Sequence, residues 1–234
     1  MRVLSSTITK LGNRIELIGE ESSVNYVLII GVFHGDEPQG KYLIEEYLKK
    51  NLGRGAKNNL LFIPCLNPDG FQNNTRTNAN GVDLNRNFPT KNWGGVNDTA
   101  DDFSGNIDDS TDEDTGAVGN NSSDYYGGPS PASEIETQFL IDTIEKYTPK
   151  LILTLHAPYK VVNYDGPADE VAKKISKIIN YPVEASIGYP TPGSFGTYCG
   201  VERNIPTITL ELDEKIPVED LIQPVFEIFD MLLN

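Results

Sequence analysis

Three stretches of this chain are apolar at nearly every position: Tyr26-Val27-Leu28-Ile29-Ile30-Gly31-Val32, Leu60-Leu61-Phe62-Ile63-Pro64 and Leu151-Ile152-Leu153-Thr154-Leu155. Unbroken apolar runs of this length are what strands buried on both faces of a sheet require. A run from Ile205 to Leu212 and a shorter one from Val183 to Ile187 read the same way. Between the runs the apolar period becomes helical, from about Pro38 to Lys50, from about Ala168 to Ile179 and from about Val218 to Leu232. Ile135, Phe139, Leu140, Ile144 and Tyr147 mark one more helix, for which Ser130 followed by Pro131 supplies an N-cap with proline at the first helical position. Asn67-Pro68-Asp69-Gly70 has the composition of a turn. Strands alternating with helices predict an α/β fold, a single-domain three-layer α/β/α sandwich around a central mixed, largely parallel twisted sheet. There is no internal repeat.

From Phe71 to Pro131 the periodicity disappears, over a length too great for an ordinary connection. Its later part, from Asn97 to Tyr126, carries nine acidic residues, and no Lys or Arg occurs between Lys91 and Lys146. This stretch supplies more than half of the net charge of −15. Such a charge disfavours nucleic acid and anionic lipid as partners. No apolar run approaches the roughly 20 residues of a membrane span. At 234 residues the expectation is one domain, 1–234, with an acidic insert at about 97–127. Cys65 and Cys199 are too few for a disulfide framework. The first residues run into Lys10 and Arg14 without the apolar stretch of a secretory signal, so a cytoplasmic setting is expected.

Ligands gather at the carboxyl ends of strands in open α/β sheets. His34-Gly35-Asp36-Glu37 follows the first run, Asn67-Pro68-Asp69-Gly70 the second, His156 the third, and Glu211 ends the last. His34 and His156 are the chain's two histidines. A catalytic zinc takes three ligands of the His₂Glu kind and leaves one position open for water, and carboxypeptidase A is the standard case. His34, Glu37 and His156 supply that set, and Glu211 is placed to act as general base. A single histidine at a strand end also serves as an ordinary hydrogen-bonding residue. The conjunction of four such residues in a histidine-poor chain is what favours the metal.

These blocks, with Thr75-Arg76-Thr77-Asn78-Ala79-Asn80-Gly81-Val82-Asp83-Leu84-Asn85-Arg86-Asn87-Phe88-Pro89 and Leu210-Glu211-Leu212, occur in the order found in zinc carboxypeptidases of the carboxypeptidase A type, and the chain resembles that family over nearly its whole length apart from the insert. The resemblance implies one Zn²⁺ per chain held by His34, Glu37 and His156. It also implies that Glu211 takes a proton from the attacking water and passes it to the leaving amine. Arg76 matches the residue that polarises the scissile carbonyl. Asn85 and Arg86 match the pair that grips the substrate's free carboxylate. Asp83 matches the carboxylate that orients the first zinc histidine. Tyr189 falls where the family carries a tyrosine that caps the substrate, although the Gly193-Ser194 landmark sits one position out of register.

Thr154-Leu155-His156-Ala157-Pro158 and the segment from Gly188 to Gly200 resemble the murein peptide amidase branch of the family. That branch implies a small peptide substrate, L-alanyl-γ-D-glutamyl-meso-diaminopimelate, from which diaminopimelate is released in peptidoglycan recycling. The expected enzyme works without nucleic acid or membrane, as a monomer or homodimer. The competing readings are a metallocarboxypeptidase for α-linked peptides, a deacylase of the aspartoacylase and succinylglutamate desuccinylase kind, and a zinc-dependent binder of cell-wall peptides without turnover. The Asn67-Pro68-Asp69-Gly70 block and the long match around Tyr189 favour the murein peptide amidase reading over these, and Glu211 argues against a pure binder. The acidic insert departs from the family pattern. Asp108-Asp109-Ser110-Thr111-Asp112-Glu113-Asp114 lacks the glycine of a calcium loop, so a solvated loop is expected.

Overall fold

Three strands form the centre of the sheet because both of their faces can be covered. β3 (Val27–Gly31), β4 (Leu60–Ile63) and β5 (Leu151–His156) are buried at every position. Residues 1–21, 25–51, 59–94, 122–185 and 191–233 are described in the computed structural model of the chain. With β1 (Arg2–Ile8), β2 (Arg14–Gly19), β6 (Val161–Asp165), β7 (Val183–Glu184) and β8 (Thr207–Glu211) they make an eight-stranded sheet ordered β1, β2, β4, β3, β5, β8, β6, β7. The core pairings of β3 with β4 and β5, and of β5 with β8, are parallel. β1 with β2, β2 with β4, and β6 with β8 are antiparallel, so the sheet is mixed as expected.

Alternate residues of each strand serve opposite cores. Val27 and Ile29 of β3, Leu60 and Phe62 of β4 and Leu151, Leu153 and Leu155 of β5 pack against α1 (Gln39–Asn51), α4 (Asp169–Ile179) and α5 (Ile222–Leu232). Tyr47 of α1 meets Phe62, Phe226 and Phe229 there, with ring centroids 5.1 to 5.8 Å apart. Leu28, Ile30, Leu61, Ile63 and Ile152 face the other way, onto α3 (Ile135–Tyr147) and the segment carrying Phe195, Tyr198 and Cys199. Three layers result. Among the described residues no helix is long and apolar enough to cross a membrane.

Two local expectations need correction, three strands were not anticipated, and parts of two expected segments lie outside the described residues. α3 begins at Ile135, not at Pro131. Asn87 claims the backbone before it, its carbonyl accepting from the Ala132 N–H at 2.6 Å and its side chain from the Glu134 N–H at 3.2 Å, while Ala132 takes a left-handed φ of 53°. Asn67-Pro68-Asp69-Gly70 opens a short helix, α2 (Pro68–Asn73), because Asn67 Oδ1 accepts from the Gly70 N–H at 2.9 Å as an N-cap. β1, β2 and β6 carry no continuous apolar run, since β1 lies at the sheet edge, β2 is buried at alternate positions and β6 turns polar after Val162. The acidic insert falls at 95–121 largely outside the described residues, as do Ser186 and Ile187 of the expected strand end.

The start of α3 holds a buried carboxyl. Glu136 is 2% exposed, and Asn78 Nδ2 donates to it at 3.3 Å and to neighbouring Glu134 at 2.8 Å. Burial pushes the Glu136 carboxyl up to about 7, against the pull of the backbone amide and of Asn78. The folded chain therefore keeps a proton that the unfolded chain, at about 4.5, has released, and stability falls as pH rises through that window. Glu136→Gln removes the linkage. Its stability relative to the parent is expected to rise by on the order of 1–3 kcal/mol between about pH 5 and about pH 8. Urea midpoints at the two pH values check this, and a difference independent of pH contradicts it.

Candidate functional site

The carboxyl end of β3 delivers the first of the residues singled out above, and it does so through strained backbone. Val32, fully buried, has φ 54°, a region that β-branched residues avoid. The conformation is held because Val32 O accepts from the Asn67 N–H at 2.9 Å and Gly31 O from the Leu66 N–H at 3.0 Å. The chain thereby turns off the sheet at Phe33 and presents His34 and Glu37 before α1 begins. Glycine is required at position 35, where a Cβ would overlap the backbone of Gly70. Asn67 Nδ2 bridges the Phe33 and Arg76 carbonyls, both at 3.3 Å. The turn, α2 and the Arg76 segment are thus one unit.

His34, Glu37 and His156 come together as the spacing predicted. Glu37 Oε1 lies 2.7 Å from His34 Nδ1 and Glu37 Oε2 lies 3.0 Å from His156 Nδ1. One ligand atom from each residue falls within 4.8 Å of the others. Donors about 2.0–2.1 Å from a tetrahedral zinc sit roughly 3.3 Å apart, so two imidazoles and a carboxylate converging in this way fit that ion. Phe33 stacks on the His156 ring at 5.4 Å and closes one side.

Asp83, with no exposure, fixes this cluster from behind. Its Oδ1 lies 3.2 Å from His34 Nε2, which leaves Nδ1 for the shared centre, and its Oδ2 accepts from Arg76 Nε and Nη2 at 3.2 and 3.0 Å. Arg76 Nη1 is left 3.3 Å from His34 Nδ1 and 3.9 Å from Glu37. Burial alone would lower the His34 pKa, but Glu37 and Asp83 outweigh it and Arg76 and raise it to about 9. Glu37, whose burial would raise it, is instead held well below the usual carboxylate range by His34 and His156. Asp83 is likewise held down against its burial by Arg76 and His34. Both carboxylates are therefore charged and paired with cations.

Glu211 arrives by register. β5 and β8 pair in parallel with His156 opposite Glu211, so the two stand side by side on one face. Glu211 is 9% exposed, its Oε2 has no hydrogen-bond partner among the described residues, and burial, assisted by Glu37, pushes its carboxyl up. A buried carboxyl with a free oxygen beside a cation cluster has the properties of a general base.

Asn85 and Arg86 lie in a single helical turn, Leu84–Arg86, capped by Asp83, which accepts from the Asn85 N–H at 2.8 Å. Asn85 Oδ1 accepts from the Phe195 N–H at 2.9 Å. Arg86 is 8% exposed, and its side chain donates to the Asn85 carbonyl at 2.7 Å. Among the described residues no acidic side chain pairs with it. Tyr189, the expected capping tyrosine, lies outside the described residues. Two residues here escaped sequence reasoning. Tyr125 lies over both guanidiniums, 5.1 Å from Arg76 and 5.7 Å from Arg86. Asp165 ends β6 on the face that carries Glu211. Neither lies in a motif or an apolar period, and no local signal marks them.

The chain matches the zinc carboxypeptidase family over residues 8–227. It is similar to murein peptide amidase A of Escherichia coli strain K12, with 33% identity over 184 residues that cover 79% of this chain and 69% of that protein. Murein peptide amidase A of Vibrio campbellii is 35% identical over 193 residues, covering 79% and 68%. Among solved structures, murein-tripeptide amidase from E. coli O157 superimposes with a TM-score of 0.76 at 27% identity, over 97% of this chain and 90% of that one. Carboxypeptidase A from Helicoverpa armigera shares the fold, with a TM-score of 0.69 at 17% identity over 99% and 69%. With its sheet, its His-Glu-His cluster and these matches, the chain belongs to the zinc carboxypeptidase family and is a peptide-bond hydrolase.

Proposed function

We propose that this enzyme hydrolyses the amide between γ-D-glutamate and meso-diaminopimelate in murein tripeptide, releasing diaminopimelate for peptidoglycan recycling. The observation that carries the reading is Arg86, a buried guanidinium with no acidic side chain in ion-pair contact among the described residues, and the same residues leave Glu211 Oε2 without a hydrogen-bond partner. A buried cation left unpaired is costly. A substrate carboxylate next to the scissile amide would satisfy it. The similarity to murein peptide amidases supports the particular peptide.

His34, Glu37 and His156 would hold one zinc ion, which when bound supplies Lewis acidity that polarises a carbonyl and acidifies water. The chain's own residues do the rest. Arg86 and Asn85 grip the diaminopimelate α-carboxylate, so that only a terminal residue is released. Arg76, its Nε and Nη2 committed to Asp83, offers Nη1 to the carbonyl oxygen as charge develops there. Glu211 takes a proton from water as its oxygen adds to the carbonyl carbon, then delivers it to the departing nitrogen as the C–N bond breaks. The family resemblance assigns Tyr189 a capping role toward the bound peptide. Residues 1–234 act as one catalytic domain, and the two free, buried cysteines suit a cytoplasmic setting.

Asp165 supports a cationic side chain in the released residue. In the β6–β8 pairing Asn163 lies opposite Thr209 and Asp165 opposite Thr207, continuing the row that Glu211 begins. Burial pushes the Asp165 carboxyl up, and it has no hydrogen-bond or ion-pair partner among the described residues. A Cβ at Gly196 would overlap its carboxylate oxygen, so glycine there leaves the acid room. The distal ammonium of diaminopimelate is a partner of the right sign.

The deciding assay follows L-Ala-γ-D-Glu-meso-Dap and an α-linked tripeptide by mass spectrometry, each with and without a chelator. Chelator-sensitive release from the γ-linked peptide is expected, with Glu211→Gln keeping its zinc and losing roughly 100- to 10,000-fold in kcat. Cleavage of the α-linked peptide instead would make the enzyme a general carboxypeptidase. Arg86→Ala is expected to raise KM roughly 10- to 100-fold for a free-carboxylate peptide and to leave an amidated one nearly unaffected. Equal loss on both removes its role. Asp165→Asn is expected to raise KM roughly tenfold for peptides ending in diaminopimelate or lysine and to spare one ending in alanine; a change common to all three argues against the ammonium contact.

A further inference from the structure

Tyr125, near the end of the acidic insert, is 55% exposed, yet its ring is not idle surface. The guanidinium carbons of Arg76 and Arg86 lie 5.1 and 5.7 Å from its centroid, so one ring serves two cations. Its backbone is clamped to the same turn that carries them. The Asp83 N–H donates to Tyr126 O at 2.8 Å, Asn87 Nδ2 donates to Gly127 O at 2.7 Å, and a Cβ on Gly127 would press on the Arg86 carbonyl. The backbone next to the ring is thereby tied to Asp83 and Asn87.

We propose that Tyr125 is a positioning residue that holds the guanidinium planes of Arg76 and Arg86 in register for a single substrate; this rests on the roles given to the two arginines above. A π face attracts a cation from above while leaving its in-plane N–H donors free. A carboxylate in the same place would consume those donors. Arg86 donates to one backbone carbonyl and has no acidic partner among the described residues, so it depends on such compensation to remain both buried and available. With both planes under one ring, the donors for the C-terminal carboxylate and for the scissile carbonyl keep a constant separation, which is what a peptide of given geometry requires. The role rests on the ring rather than on the phenol hydroxyl, so phenylalanine should substitute.

Tyr125→Ala, Tyr125→Phe and the parent are compared by kinetics on free-carboxylate and amidated forms of the same peptide, with melting temperature and zinc content as controls. In Tyr125→Ala the KM for the free-carboxylate peptide is expected to rise about tenfold, with a smaller effect on the amidated form, while Tyr125→Phe restores the KM and the controls stay unchanged. Arginine Nε–H resonances in the metal-loaded protein should lose their ring-current shift in Tyr125→Ala and retain it in Tyr125→Phe. Equal KM in Tyr125→Ala and the parent overturns the proposal, as does a loss that phenylalanine fails to restore. If the parent cleaves neither form, the murein reading fails by itself. Titration calorimetry with the free-carboxylate peptide then decides the role of Tyr125: binding about tenfold weaker in Tyr125→Ala upholds it, and equal or absent binding overturns it.

Discussion

The buried carboxylate of Asp83 ties together four separate parts of the chain. It meets His34 from the end of β3, Arg76 from the loop after α2 and the backbone N–H of Asn85, while its own N–H reaches Tyr126 beyond the acidic insert. A carboxylate with no exposure is tolerated only when every lone pair is used. The demand for satisfaction is therefore also a positional constraint. It sets the tautomer and angle of the His34 imidazole, pins the inner edge of one guanidinium and starts the turn that carries another.

The second half of the site depends on the sheet. A strand carries side chains to alternate faces, so a slip of one residue between β5 and β8 would move Glu211 away from His156 and into the apolar layer. Leu153 and Leu155 of β5, with Ile208 and Leu210 of β8, prevent that slip because they are committed to the layer formed by α1, α4 and α5. Thr154, His156, Thr209 and Glu211 are thereby left on the opposite face. The same apolar packing that stabilises the fold sets the register of His156 against Glu211.

Charge is distributed with a similar division. A chain of net charge −15 gathers two histidines and two arginines around one small region. That region also holds the carboxylates of Glu37 and Asp83, so positive and negative groups offset one another within a screening length of about 8–10 Å.

The central strands, the helices that flank them and the residues at the strand ends could be read from the chain, because continuous apolar runs and a 3.6-residue period are local properties. His34, Glu37, His156 and Glu211 were recognisable for the same reason, each standing where an apolar run stops. The edge strands β1 and β2 and the polar strand β6 could not be read, since their pairing comes from neighbours distant in sequence. Nor could the delayed start of α3, which Asn87 imposes from more than forty residues away, or the strain at Val32. Tyr125 over two arginines and Asp165 without a partner exist only as spatial relations between segments that no sequence period connects. Local periodicity determined which residues carry the chemistry; tertiary packing decided which of them face one another and which donors remain free, because burial makes every unpaired polar group costly.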